Sequence, residues 1–283
     1  MSQVQPADRQ GSPAPTVEGR INYLGSMSVR PRFYANDHAR DVLNLDPRVV
    51  RIEDLRRCSP GPSLHAEGIT LVSHRSAIPD FRDAQRVAQQ HPAEIERLIA
   101  ELSGADAVVV TGPGILRFAE KSPDSGRLNN SRPARFIHID CSNPTALAFA
   151  KRSRPPQRAE RIRRFAHYNV WRVFSKPPQD VPLAVCDARS VAPGDLVPAD
   201  AIFDVADQPE WSFESLLVRF NPLHRWCYFS NMTRDEALVF KTHDSAADEP
   251  SQVPHSAFDD PTCPQGVPPR SSIEMRATAY WFC

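Results

Sequence analysis

No two of the six cysteines, at positions 58, 141, 186, 227, 263 and 283, stand at C-x-x-C spacing. That argues against a zinc ribbon, a redox dithiol or a disulfide framework, and reads as small buried apolar residues in a reducing compartment. Neither charge is in surplus, since 34 basic residues balance 34 acidic ones. Binding nucleic acid or an acidic membrane calls for a basic excess, so neither partner is expected. No apolar run reaches the roughly 18 residues of a membrane span. There is no P-loop, no G-x-G-x-x-G, no G-x-S-x-G elbow and no H-E-x-x-H, which removes the common phosphate, hydrolase and zinc-protease signatures. No repeat with a period of roughly 20–50 residues is visible.

Proline, by contrast, is plentiful: 28 of 283 residues, about twice the usual share. The prolines fall between short apolar runs, as in a many-stranded fold with irregular connections. Residues 1–19 read as a polar, Pro-rich, disordered tail with no apolar leader core, so the expected location is cytoplasmic. Residues 20–283 read as a single domain. The last residues, Trp281-Phe282-Cys283, do not form a prenylation box.

The stretch Gly19–Tyr34 predicts a strand or hairpin, Gly68–Ser73 a strand, and Phe81–Gln90 a polar, helix-compatible segment. Pro92–Leu102 predicts a helix, with Pro92 at its first position, Gly104 as its stop, and Ile95, Leu98, Ile99 and Leu102 on one stripe. Strands are expected at 107–111, 136–140, 168–173, 182–186, 225–229, 237–240 and 272–279. Weaker helical signals follow Asn143-Pro144 and cross Arg158–Phe165. Strands dominate the second half, so the fold class is mainly β with flanking helices (α+β), a sandwich or jelly roll rather than a doubly wound sheet. Lys151–Arg164 holds seven basic residues against one acid. A solvated face is the default reading, and a surface for anionic ligands or substrate access the other.

The chemistry is best placed in Phe136-Ile137-His138-Ile139-Asp140. On a strand His138 and Asp140 share a face while Ile137 and Ile139 take the other. A second histidine would complete a two-His-one-carboxylate triad with open positions on Fe(II). Alone the dyad is weak, because a chain with nine histidines yields about one such match by chance. His65-Ala66-Glu67 competes, but it adjoins Gly68 rather than a β-branched run. The third ligand is sought among His167, His224, His243 and His255. Further on, Arg270, Ser272, Glu274 and Arg276 share a strand face opposite Ile273 and Met275. An Arg-x-Ser pair offers a guanidinium fork and a hydroxyl to a carboxylate such as the distal end of 2-oxoglutarate.

These segments resemble the AsaB/CmcJ-type hydroxylase/desaturase family of secondary metabolism. The resemblance runs from about Ile21 to Phe282. It rests on Asn169-Val170-Trp171-Arg172, on Pro182 to Ser190 with Asp195-Leu196-Val197, and on His224-Arg225-Trp226-Cys227-Tyr228-Phe229. It continues in Asp235-Glu236 with Lys241 and Asp244-Ser245, in His255-Ser256-Ala257-Phe258, and in Pro268 to Arg276. It implies a double-stranded β-helix (jelly-roll, cupin-like) core, with His138, Asp140 and His255 as ligands of Fe(II), 2-oxoglutarate as cosubstrate, and O2. His243 falls at a variable position and is set aside. Val173 stands where the family commonly has proline, and Cys141 follows the aspartate.

Arg270, Ser272, Tyr228 and Arg276 are the candidates for binding 2-oxoglutarate. Asn169, Trp171 and Arg172 are weaker candidates for the substrate, Trp171 reading first as core and Arg172 as a partner for a carboxylate such as Asp187. The implied activity is hydroxylation or desaturation of a small molecule, with no obligate protein partner. Two alternatives keep the jelly roll: a non-redox metal serving a hydrolase or lyase, and a non-catalytic binding module. Neutral imidazoles are required as ligands, so activity is expected to fall in mild acid.

Overall fold

Along residues 272–279 of the C-terminal strand, Ser271–Phe282, polar and charged residues at even positions alternate with apolar ones at odd positions, and this alternation separates the layers. The computed structural model describes residues 14–156 and 158–283. In chain order the elements are β1 (Thr16–Leu24), β2 (Arg32–Tyr34), β3 (Leu45–Asp54), β4 (Ile69–Ser73), α1 (Ala84–Ser103), β5 (Ala107–Val110), β6 (Ile115–Phe118), β7 (His138–Ile139) and α2 (Asn143–Arg152). There follow β8 (Ile162–Val173), β9 (Leu183–Cys186), β10 (Leu196–Phe203), β11 (Trp211–Val218), β12 (Trp226–Tyr228), β13 (Glu236–Asp244), β14 (His255–Ala257) and β15 (Ser271–Phe282). Nine strands form one sheet in the order β1-β3-β12-β9-β14-β7-β11-β10-β2, and six form the other, as β4-β13-β8-β15-β5 with β6 also paired to β15.

Ile273, Met275, Ala277 and Ala279 of β15 join Tyr168 and Val170 of β8 beneath α1, whose Val87, Ile95, Leu98 and Ile99 complete that cluster. The opposite face of β8 and β13 sends Trp171, Val173, Leu238 and Phe240 against Val185 and Cys227 of the nine-stranded sheet. On the far side of that sheet, Ile21 and Tyr23 of β1 pack with Ile137, Ile139, Leu216 and Val218, so the sheet curls over its own apolar face. The result is the jelly roll of the expected class, with α1 on the outer face of the smaller sheet and α2 against its end, Ala146 and Ala150 meeting Tyr280.

Several local expectations change. β1 and β2 are not a hairpin: they lie at opposite edges of one sheet, β1 antiparallel to β3 and β2 parallel to β10. β1 begins at Thr16, inside the stretch expected to be tail, of which residues 1–13 lie outside the described residues. Pro92 is interior to α1, which starts eight residues earlier after the N-cap Asp83. The stripe of Val87, His91, Ile95, Leu98 and Ile99 buries both halves on one sheet, and that shared burial offsets the roughly 3 kcal/mol of an interior proline. Gly104 does end the helix, at φ 63°, in the left-handed region. Arg158–Phe165 is not helical. β8 starts at Ile162 because its residues pair with Trp281 and Phe282 of β15, a ladder that overrides local helical signal. No helix among the described residues is long and apolar enough to cross a membrane.

Ile99 is fully buried between α1 and the smaller sheet. Ile99→Ala is expected to cost about 2–5 kcal/mol in urea unfolding, with ligand binding retained by the folded fraction.

Candidate metal centre

β7 and β14 are neighbours, and their register sets His138 directly opposite His255. Ile137 and Ile139 are anchored in the apolar cluster of the curled sheet, which turns His138 and Asp140 toward β8 and β15. The ligand atoms of His138, Asp140 and His255 all lie within 4.8 Å of one another. The two imidazole centroids are 4.2 Å apart, His255 Nε2 is 3.9 Å from Asp140 Oδ1, and all three side chains are buried.

The tautomers are set by the backbone. His138 Nδ1 donates to the Phe136 carbonyl at 3.2 Å and His255 Nδ1 to the Val253 carbonyl at 3.3 Å. Each ring therefore keeps its Nε2 lone pair for a cation. Burial, then the neighbouring His255, pushes His138 down to about 3, and burial lowers His255 as well. Burial thus favours the neutral form of both rings, the form that binds a cation.

Asp140 is held ionised. Burial pushes its carboxyl up, but the Arg276 guanidinium and the two histidines outweigh that and hold it well below the usual range. Arg276 donates from Nε to Oδ2 and from Nη2 to Oδ1, both at 2.9 Å, and Asn169 Nδ2 donates to Oδ2 at 3.2 Å. Asn169 Oδ1 is buried and unpartnered, leaving an acceptor beside the carboxylate. Arg276 Nη2 also donates to Glu274, which Arg117 binds at 3.0 Å. Two imidazole nitrogens and one carboxylate fit a divalent cation such as iron.

Ser272 lies near the start of β15, and Arg270 immediately precedes that strand. A small cavity of about 20 Å³ is lined by His138, His255, Trp171, Glu274 and Arg270. Arg270 is buried, over the Trp171 ring at 5.9 Å. Its guanidinium donates to Ser272 and to the carbonyls of Val181 and Arg117, its backbone N–H donates to Asp180, and among the described residues no carboxylate forms an ion pair with the guanidinium. Burial, then Arg117 and Arg135, pushes Arg270 down to about 10. A buried guanidinium without a counterion suits an incoming carboxylate.

The structure separates the remaining candidates. Arg276 is committed to two protein carboxylates, so it is poorly placed to bind one from a cosubstrate. Tyr228 meets Phe258 edge-on and lines a different cavity, with Gln179 and Asp260, because β12 lies two strands from β14. Arg172 points to the outer face and bonds the His74 ring and carbonyl beneath α1. It does not meet Asp187, which pairs with Arg189 and Arg225. His243 stacks on Phe165 outside the triad, and His167 bonds the Ala146 carbonyl and Thr278. His65 pairs with Glu249, while Glu67 accepts from Arg189. Burial pushes the Cys141 thiol up to about 12, which makes it inert.

Sequence reasoning missed Arg117 and an aromatic wall of Phe149, Phe203, Trp211 and Phe213 around a larger cavity, about 480 Å³, that opens on Asp140 and Arg276. The alternation Trp211-Ser212-Phe213 was the available signal.

Burial holds His91 and His243 down to about 4, as it does His138 at about 3. The unfolded chain binds protons on these rings near pH 6.5 and the folded protein does not. Stability should therefore fall as pH drops from about 6.5 toward 4, by about 1.4 kcal/mol per pH unit for each ring. Urea midpoints across this range should show the loss, and His243→Gln should flatten the slope by about one proton; an unchanged slope removes His243 from the account.

A family model described as an oxidoreductase/YMDC permease-like domain matches residues 21–280. The hydroxylase/desaturase efuI of Hormonema carpetanum is 31% identical over 291 residues, covering 95% of this chain and 96% of that one. The hydroxylase/desaturase CTB9 of Cercospora beticola is 31% identical, covering 83% and 77%. The Fe(II)/2-oxoglutarate-dependent dioxygenase nvfI of Aspergillus novofumigatus is 28% identical, covering 84% of each. A solved structure of the iron and alpha-ketoglutarate-dependent endoperoxidase NvfI with different conformation superimposes with a TM-score of 0.79 at 25% identity, over 96% of this chain and 100% of that one. From the match across residues 21–280 and the 31% identity to hydroxylase/desaturases over most of both chains, the protein belongs to this oxidoreductase family.

Proposed function

We infer that the protein is a non-haem Fe(II)/2-oxoglutarate-dependent oxygenase that uses O2 to hydroxylate or desaturate a small molecule of secondary metabolism, in the cytoplasm. The observation that carries this reading is the meeting of His138, Asp140 and His255, from two paired strands, with their ligand atoms within 4.8 Å of one another. When bound, iron with 2-oxoglutarate and O2 supplies the oxidising power to break an unactivated C–H bond.

The chain's own residues do the rest. His138, Asp140 and His255 hold the metal, with both rings fixed in orientation by their Nδ1 bonds. Arg276 and Asn169 keep Asp140 ionised and aimed. Arg270, with Ser272 beside it, receives the distal carboxylate of 2-oxoglutarate through the small cavity. Trp171 backs that guanidinium and excludes water from it. The larger cavity, on the Asp140 side, receives the substrate.

Anaerobic Fe(II) protein titrated with 2-oxoglutarate should develop the weak visible charge-transfer band of the chelate. His138→Ala and His255→Ala should each lose iron by metal analysis, and unchanged iron in both refutes the ligand set. Arg270→Gln should keep its iron yet need about tenfold to a hundredfold more 2-oxoglutarate for the band. Turnover without O2 or 2-oxoglutarate would instead identify a hydrolase or lyase.

A further inference from the structure

The larger cavity, about 480 Å³, is within the size range of sites that enclose small molecules. Its walls and its floor differ in kind. Phe203 of β10 lies across from Trp211 of β11 in the ladder, and their rings stack with centroids 4.4 Å apart. Phe213, on the same face as Trp211, meets Phe203 at 5.4 Å and Phe149 of α2 at 5.2 Å. Trp211 remains 48% exposed, a large aromatic surface without protein cover.

Three permanently charged or acidic residues line this cavity. Asp140 and Arg276, at the buried floor, neutralise each other. Arg152, at the exposed end of α2, lies over the Phe149 ring at 4.9 Å, and among the described residues no acid pairs with it. Three other members of its basic run have partners of their own. Arg154 donates to the carbonyls of Arg158 and Glu160, Arg158 pairs with Glu160, and Arg164 pairs with Asp244. The mouth of an aromatic cavity thus carries one uncompensated guanidinium.

We propose that the substrate is an apolar, ring-containing acid, held through its anionic group by Arg152 at the mouth, with its rings against Phe149, Phe203, Trp211 and Phe213. This rests on the oxygenase reading of the site. Anchoring at the mouth sends the end of the molecule remote from the acid to the floor beside Asp140, so the carbon oxidised is the one distant from the anionic group. A neutral substrate of the same shape would leave the guanidinium without its partner.

A pair of dyes separates ring from charge: 8-anilinonaphthalene-1-sulfonate and its uncharged counterpart N-phenyl-1-naphthylamine, titrated by their own emission into the metal-free full chain. Arg152→Gln should weaken binding of the sulfonate about tenfold and leave the neutral dye within about twofold. Trp211→Ser should loosen both dyes by about tenfold. Both positions are exposed, so neither variant should disturb folding, which the urea midpoint checks. If Arg152→Gln affects the two dyes equally, or neither, the acid anchor is wrong; if Trp211→Ser affects neither, the aromatic wall is not the binding surface. Neither measurement uses iron or 2-oxoglutarate, so failure here leaves the charge-transfer result standing, and failure of that band leaves this one.

Discussion

A carboxylate cannot remain charged inside a protein unless something compensates it, and the centre of this fold is arranged around that requirement. Asp140, the residue just after the short strand β7, is buried, and Arg276 of β15 grips both its oxygens. That pair joins the two sheets at the point where the histidines meet. It needs β15 to present its polar face inward, which in turn needs Ile273, Met275, Ala277 and Ala279 to be covered on the other face by α1. Packing far from the chemistry thereby keeps a ligand ionised.

Two guanidiniums, Arg276 within β15 and Arg270 just before it, illustrate how position decides the role of one residue type. They stand six residues apart in the chain. Arg276 is saturated by Asp140 and Glu274, whereas Arg270 is buried against Trp171 with backbone carbonyls and Ser272 as its partners. The first serves the metal ligand, and the second is left with charge to give to an incoming anion. Cavities open on both sides of the triad, so cosubstrate and substrate can approach from different directions.

Much of this was legible in the residues themselves. The period-two pattern at 137–140 assigned His138 and Asp140 to one face, and the pattern at 270–276 assigned the arginines and Ser272 to another, because alternation is a local property of any strand. The identity of the third ligand was not local. His255 lies far along the chain, and its choice over His167 and His243 came from the resemblance and not from spacing. The placement of Arg172 and Tyr228 was not local for the same reason. A strand's sequence reports that two faces exist, but not which face meets the site, and Arg172 proved to face α1 while Tyr228 sits two strands away.

By itself the sequence determined the alternating faces, the Gly104 stop, the balance of charge and the inventory of ligand-bearing side chains, since each depends on neighbours a few residues away. Tertiary structure alone decided that β7 lies beside β14, that Pro92 is carried inside a helix, that residues 162–165 extend as strand, and which arginine lacks a carboxylate partner. Those outcomes depend on pairing and burial between segments more than a hundred residues apart, whose energies exceed any local preference.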